Sequence, residues 1–198
     1  MISNVCKIEK GSKDLEAILL ESEKVARYND LTKKQSLHLR LICEEIDGML
    51  PNLLDDFNGN LWIEIVDGVC RVNVALDIPE INTAKKEELI NLAKNKKNAA
   101  AVGIVGKIRN AIENFFLRNE EVEAFIPSTD MCYMSAGFGA GVNYSCLWTL
   151  NQYKSTVKGA GQEEGWDELE KSIIANLADD VVVGVKGNKA NIVVVKKF

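Results

Sequence analysis

The stretch TKKQSLHLRLICEEIDGMLP, residues 32–51, constrains the fold more than any other part of the chain. Thr32, followed three residues later by Gln35, carries a capping-box signature, and Pro51 marks the far end because proline opposes helix continuation. At about 100° per residue, Leu39, Ile42, Cys43, Ile46, Met49, Leu50 and Leu53 fall on one broad face. So wide a stripe predicts a core helix. Its adjacent carboxylates are not equivalent. Glu44 projects away from the stripe into water, whereas Glu45 lies at its edge, stacked on Leu41 and Met49. A carboxylate on that boundary is half-desolvated, which is where its contacts and pKa matter.

Upstream, residues 3–9 alternate loosely and read as a first strand. Leu15, Ile18, Leu19, Val25 and Ala26 then form a helical stripe, and the short link to residue 32 makes the two helices packing neighbours. After Asn58-Gly59-Asn60 the apolar period changes from helical to alternating. Leu61, Ile63 and Ile65 form one row and Cys70, Val72, Val74 and Leu76 another, with the hairpin signal Asp67-Gly68 between them. Asp77 closes the second strand, just before a Pro79-containing turn, a common place for an aspartate.

Residues 83–94 read as a helix capped by Thr83, followed by the basic loop Asn95-Lys96-Lys97-Asn98. Charge runs of that kind are usually solvated. A third long helix covers residues 99–117, with Val102, Val105, Ile108 and Ile112 on its buried side. The Gly-rich run 135–141 precedes a strand and not a helix, so it reads as a turn into residues 142–153. Gly159 and Gly161 mark residues 154–165 as a linker. Beyond it come a helix over 166–177 and a valine-dense hairpin, 180–186 with 191–196. Left flat and exposed, such strands aggregate, so the hairpin must cover or extend a sheet edge, in this chain or in a second copy.

Composition narrows the function. A formal charge of −5 argues against nucleic-acid binding, which needs a concentrated basic surface. The chain holds 5 cysteines, widely scattered and without a C-x-x-C pair, and a single histidine, His38, which speaks against zinc and against a Cys–His catalytic pair. No apolar run reaches the roughly 20 residues that cross a bilayer, and residues 1–14 lack a signal-peptide core. The reading is cytoplasmic.

LRLICEEIDGM, residues 39–49, resembles the N-box helix of the GHKL ATPases of gyrase and histidine-kinase type, especially the anti-sigma-factor kinases. That resemblance implies an α+β fold, a two-layer sandwich with a mixed sheet covered by helices on one face. It covers about residues 3–153, so residues 1–157 are expected as an ATPase-like domain and 158–198 as a C-terminal αββ extension packed on it. It also implies roles. Glu45 takes the place of the general base, and Asp77 that of the adenine-binding Asp in the family's D-x-G-x-G box. Lys96 and Lys97 fall in the lid over the triphosphate. Gly103 retains one glycine of the G-x-G whose backbone receives phosphate at a helix N-terminus, or else marks close helix–sheet packing. Met49 stands where the family has the Asn that holds Mg²⁺, and a thioether is a poor ligand for that ion. The expectation is therefore a regulatory protein of the anti-sigma-factor kinase type. It would bind ATP or ADP weakly or not at all, have little use for Mg²⁺, and act on a protein partner or as a homodimer. The alternative is an active ATP-dependent serine-protein kinase.

Overall fold

The computed structural model describes residues 1–11, 15–54, 56–77, 103–118, 145–160, 163–186 and 188–198. Its central helix, α2 (Lys33–Leu53), forms where the apolar stripe predicts it. Thr32 Oγ1 accepts from the Gln35 amide at 3.3 Å while Gln35 Oε1 accepts from the Thr32 amide at 2.9 Å, closing both halves of the capping box. Every residue of the predicted stripe is buried, Leu39, Cys43 and Ile46 completely. The helix does not stop at Pro51 but runs on to Leu53. A proline this close to the C-terminus forfeits a single backbone bond, and the Leu54 amide still reaches the Leu50 carbonyl at 3.3 Å.

Helix α1 (Leu15–Tyr28) packs beside α2. It closes with Asp30 in the left-handed region at φ 50°. The Leu31 amide then donates back to Ala26 O at 3.0 Å and the Asp30 amide to Arg27 O at 3.2 Å, a Schellman closure. That tight reversal is what the short link demanded.

Six strands make one open sheet: β1 (Cys6–Glu9), β2 (Asn58–Val66), β3 (Val69–Asp77), β4 (Ser145–Thr149), β5 (Asp180–Lys186) and β6 (Lys189–Lys197), in the order β1-β2-β3-β6-β5-β4. Asp67 at φ 50° and Gly68 at φ 74° turn the β2–β3 hairpin, as a type I′ turn requires. Among the described residues all the ladders are antiparallel, which departs from the mixed sheet expected. The two hairpins meet head to tail along β3 and β6, and β1 and β4 each enter antiparallel at the two edges, so no parallel neighbours arise.

The C-terminal hairpin lies inside the sheet. β6 pairs with β3 from Val69↔Lys197 to Asp77↔Lys189, and β5 carries β4 on its far side. Its valine rows are therefore paired within the chain, and they supply no reason for a second copy. The boundary expected at 157/158 falls within helix α4 (Leu150–Ala160). Residues 154–165 are largely helical, not a linker, because local caps outweigh glycine content. Thr149 Oγ1 accepts from the Gln152 amide and the buried Asp180 carboxylate from the Asn151 amide, both at 3.1 Å, at the start of α4. Gly165 has a packing role: a Cβ there would lie 2.8 Å from Val157 Cγ2. Of the strand expected over 142–153, the described residues give β4 (Ser145–Thr149) and then the start of α4. The helix expected over 166–177 is two pieces, α5 (Glu163–Lys171) and α6 (Ile173–Leu177). They are separated at Ser172, whose hydroxyl caps α6 by accepting from the Ala175 amide.

The two faces of the sheet differ. Cys70, Val72, Val74 and Leu76 of β3 point into a large core to which every described helix contributes, including α3 (Gly103–Arg118) through Ile104, Ile108 and Ile112. A smaller cluster of strand residues, Val182, Val193 and Val195 with Val69 against them, occupies the opposite face. The result is an α+β sheet with its described helices packed on one side. The helix expected at 83–94, the loop with Lys96 and Lys97, and the Gly-rich run 135–141 lie outside the described residues.

This topology predicts that deleting residues 161–198 leaves β3 without its nine-residue partner ladder. The shortened chain should be insoluble or lack a cooperative thermal transition. A soluble truncation melting at the full-length temperature would contradict the arrangement.

Candidate functional site

Glu45 sits half-buried at the edge of the α2 stripe, as its helical position requires. It faces a cleft of about 540 Å³ between α2, the first turn of α3 and the α5–α6 junction, where Gly103, Asp167, Glu168 and Lys171 also lie. Two of the residues singled out from the sequence, Glu45 and Gly103, thus share one cleft.

The first turn of α3 is already engaged by the chain itself. The Gly103 amide donates to Glu168 Oε1 at 3.2 Å, and the Tyr153 hydroxyl donates to Glu168 Oε2 at 2.6 Å. Lys107 Nζ lies 3.9 Å from the same Oε2 and 5.9 Å from the centre of the Tyr153 ring. A carboxylate at a helix N-terminus satisfies an orphan amide and the positive end of the dipole. Among the described residues a Cβ on Gly103 would meet nothing within 4 Å, and its φ of 77° is what calls for glycine. Burial, reinforced by the bond to Glu168 and its negative charge, pushes the Tyr153 hydroxyl well above the ordinary tyrosine range.

The remaining predicted residues do not join this cleft. Alternation along β3 carries Asp77 to the face of Val69 and Arg71, opposite the buried row that meets α2. There it pairs with its cross-strand neighbour Lys189 at 2.8 Å. Asp77 and Glu45, which the resemblance places at one nucleotide site and so facing one cavity, therefore lie on opposite sides of the sheet. The cause is the unbroken register of β3, which fixes the side-chain direction of its last residue. Met49 is 3% exposed and belongs to the core, where it offers nothing to a metal ion. Lys96 and Lys97 fall outside the described residues.

Nor do these residues suit metal or thiol chemistry. Among the described residues, no group of three or more His, Cys, Asp or Glu side chains is disposed to hold a metal ion. Cys6, Cys43 and Cys70 are buried thiols outside any disulfide. Burial raises the Cys43 thiol far above its usual range and the Cys70 thiol to about 12, so neither is a thiolate at neutral pH. The cleft wall carries the carboxylates Glu45, Asp167 and Glu168 together with the cation Lys171.

Sequence reasoning missed Glu168, Tyr153 and Lys107. Nothing in the strand-like run 142–153 singles out Tyr153, and Glu168 lies beyond the family-like stretch. The sole signal is a carboxylate in a short amphipathic helix, which does not say where that helix docks. Compared with protein-family models, with curated proteins and with solved structures, the chain matches none.

The Tyr153–Glu168 bond yields a pH test. Because the folded-state pKa of Tyr153 is raised, its contribution is complete below the unfolded value near 10 and is lost as pH rises toward the folded one. Tyr153→Phe should destabilise the protein by about 1.5 kcal/mol at pH 8, with the gap to wild type narrowing above pH 10 in urea titrations. A pH-independent gap would show that the lost bond is not to a charged carboxylate.

Proposed function

We propose that this chain is a regulatory binding protein laid out like a histidine-kinase-type ATPase domain, of anti-sigma-factor kinase character, that acts on another protein without turning over nucleotide. The run β1-α1-α2-β2-β3, its helices on one sheet face and the half-buried Glu45 at the edge of the central helix support the likeness. One observation carries the non-catalytic half of the reading. The Gly103 amide, which the resemblance offers to a phosphate, holds the chain's own Glu168 carboxylate.

The competing reading, an active serine-protein kinase, asks for a base, a metal ligand and an adenine contact in one cavity. Phosphoryl transfer depends on Mg²⁺ and on positioning, and an unorganised metal site forfeits several kcal/mol of transition-state stabilisation. Here Met49 is buried and Asp77 is committed to Lys189 across the sheet. Glu45 alone amounts to a polar residue in a cleft.

Calorimetry with ATP and ADP, each with and without Mg²⁺, tests this. The expected result is binding weaker than about 1 mM, equivalent to less than about 4 kcal/mol, unaffected by Mg²⁺ and accompanied by no hydrolysis. Low-micromolar Mg·ATP binding, with turnover abolished by Glu45→Ala, would establish the kinase reading instead. Met49→Asn is a poor probe, because it would bury an amide in the core.

A further inference from the structure

A second concavity, of about 470 Å³, runs between the C-terminal half of α1 and the N-terminal half of α2. Ala26, Leu31 and Leu37 line it with apolar surface, and Arg27, Lys33 and Arg40 line it with positive charge. Leu37 is 53% exposed, a large apolar side chain left in water on a helix whose core stripe is otherwise complete. The groove's one carboxylate, Glu23, is ion-paired with Arg40, whose Nη1 reaches it at 3.0 Å while its Nε binds Glu44 at 3.0 Å. Arg27 and Lys33 have no carboxylate within ion-pair distance among the described residues.

A separate observation concerns the first turn of α2. It carries Lys33 and Lys34 and no acidic residue. Cations there oppose the helix dipole at about 0.3–1 kcal/mol each. A chain of net charge −5 has therefore gathered two lysines, a helix N-terminus and Arg27 around an exposed leucine. A local arrangement that works against its own helix is expected where a surface is kept for binding.

We infer that the α1–α2 groove docks an acidic segment of a partner protein. The segment's carboxylates meet Arg27 and Lys33 and the positive end of α2, and an apolar side chain sits between Leu31 and Leu37. A protein segment fits better than nucleic acid, since the floor is aliphatic and the chain as a whole repels a polyanion. This site is remote in sequence from Glu168 and does not depend on whether nucleotide binds.

The test is amide chemical-shift mapping on the full chain with two synthetic 12-residue peptides, one of alternating glutamate and leucine and one with glutamine replacing each glutamate. The acidic peptide should shift amides within residues 26–40, and its affinity should fall at least tenfold in the double variant R27E/K33E and with rising salt. Leu37→Ser, a surface change that leaves both cations in place, should also weaken it several-fold. The inference is overturned if the acidic peptide leaves these amides unmoved at millimolar concentration or shifts residues elsewhere. Equal shifts with the glutamine peptide, or tighter binding of a single-stranded oligonucleotide to the same amides, overturn it too.

Discussion

Along β3 and β6 a run of nine residue pairs joins the middle of the chain to its end, and the rest of the architecture depends on that ladder. On one face its rows present Val72, Val74, Ile192 and Val194 to the helices, all nearly or completely buried. Fully burying such a side chain contributes roughly 1.5–3 kcal/mol, so the seam is also the middle of the core. α2 lies over this surface with its own stripe, and β1 and β4 only extend what the two hairpins have closed. Because the ladder pairs residues about 120 positions apart, from Asp77 with Lys189 to Val69 with Lys197, the last strand must be present before the sheet is whole.

The cleft beside Glu45 follows from the same construction. Bringing the chain's end back into the sheet also brings α5 against the start of α3, and with it Glu168 onto the Gly103 amide. A helix N-terminus left open is an anion seat. Here it is filled from within, and Tyr153 and Lys107 flank the same carboxylate. The other charged groups on the cleft wall are Glu45, Asp167 and Lys171. The groove between α1 and α2 differs in character: Arg27 and Lys33 have no carboxylate within ion-pair distance among the described residues and Leu37 is exposed, which is why docking is proposed there.

Much of this was legible in the sequence wherever a local rule governs. The α2 stripe, its Thr32–Gln35 cap and the Asp67-Gly68 turn depend on neighbours a few residues away, and the structure realises each of them. What was not legible depends on long-range pairing. Gly159 and Gly161 made residues 154–165 read as a linker because composition does not reveal the caps that start α4 or that Gly165 packs on Val157. The hairpin read as an appendage because valine density predicts strands without naming their partner. Asp77 read as facing Glu45 because the end of a strand was identified but its face was not, and one residue of register decides that. The mixed sheet came from the resemblance and not from the residues, and the ladders among the described residues are all antiparallel. Of the candidate site, Glu45 and Gly103 were singled out for family-implied roles and share a cleft, whereas Glu168, which fills the α3 end of that cleft, had no signal in its own neighbourhood.

The central claim, that the C-terminal hairpin is an integral part of one cooperative sheet, is tested most directly by native-state hydrogen exchange. The account predicts that the amides of Val72 and Val74 in β3 and of Ile192 and Val194 in β6 exchange only through global unfolding, with one common free energy and one denaturant dependence. Exchange of the β5 and β6 amides through a lower-energy opening that leaves β2 and β3 protected would contradict it, and would make the hairpin a separable unit.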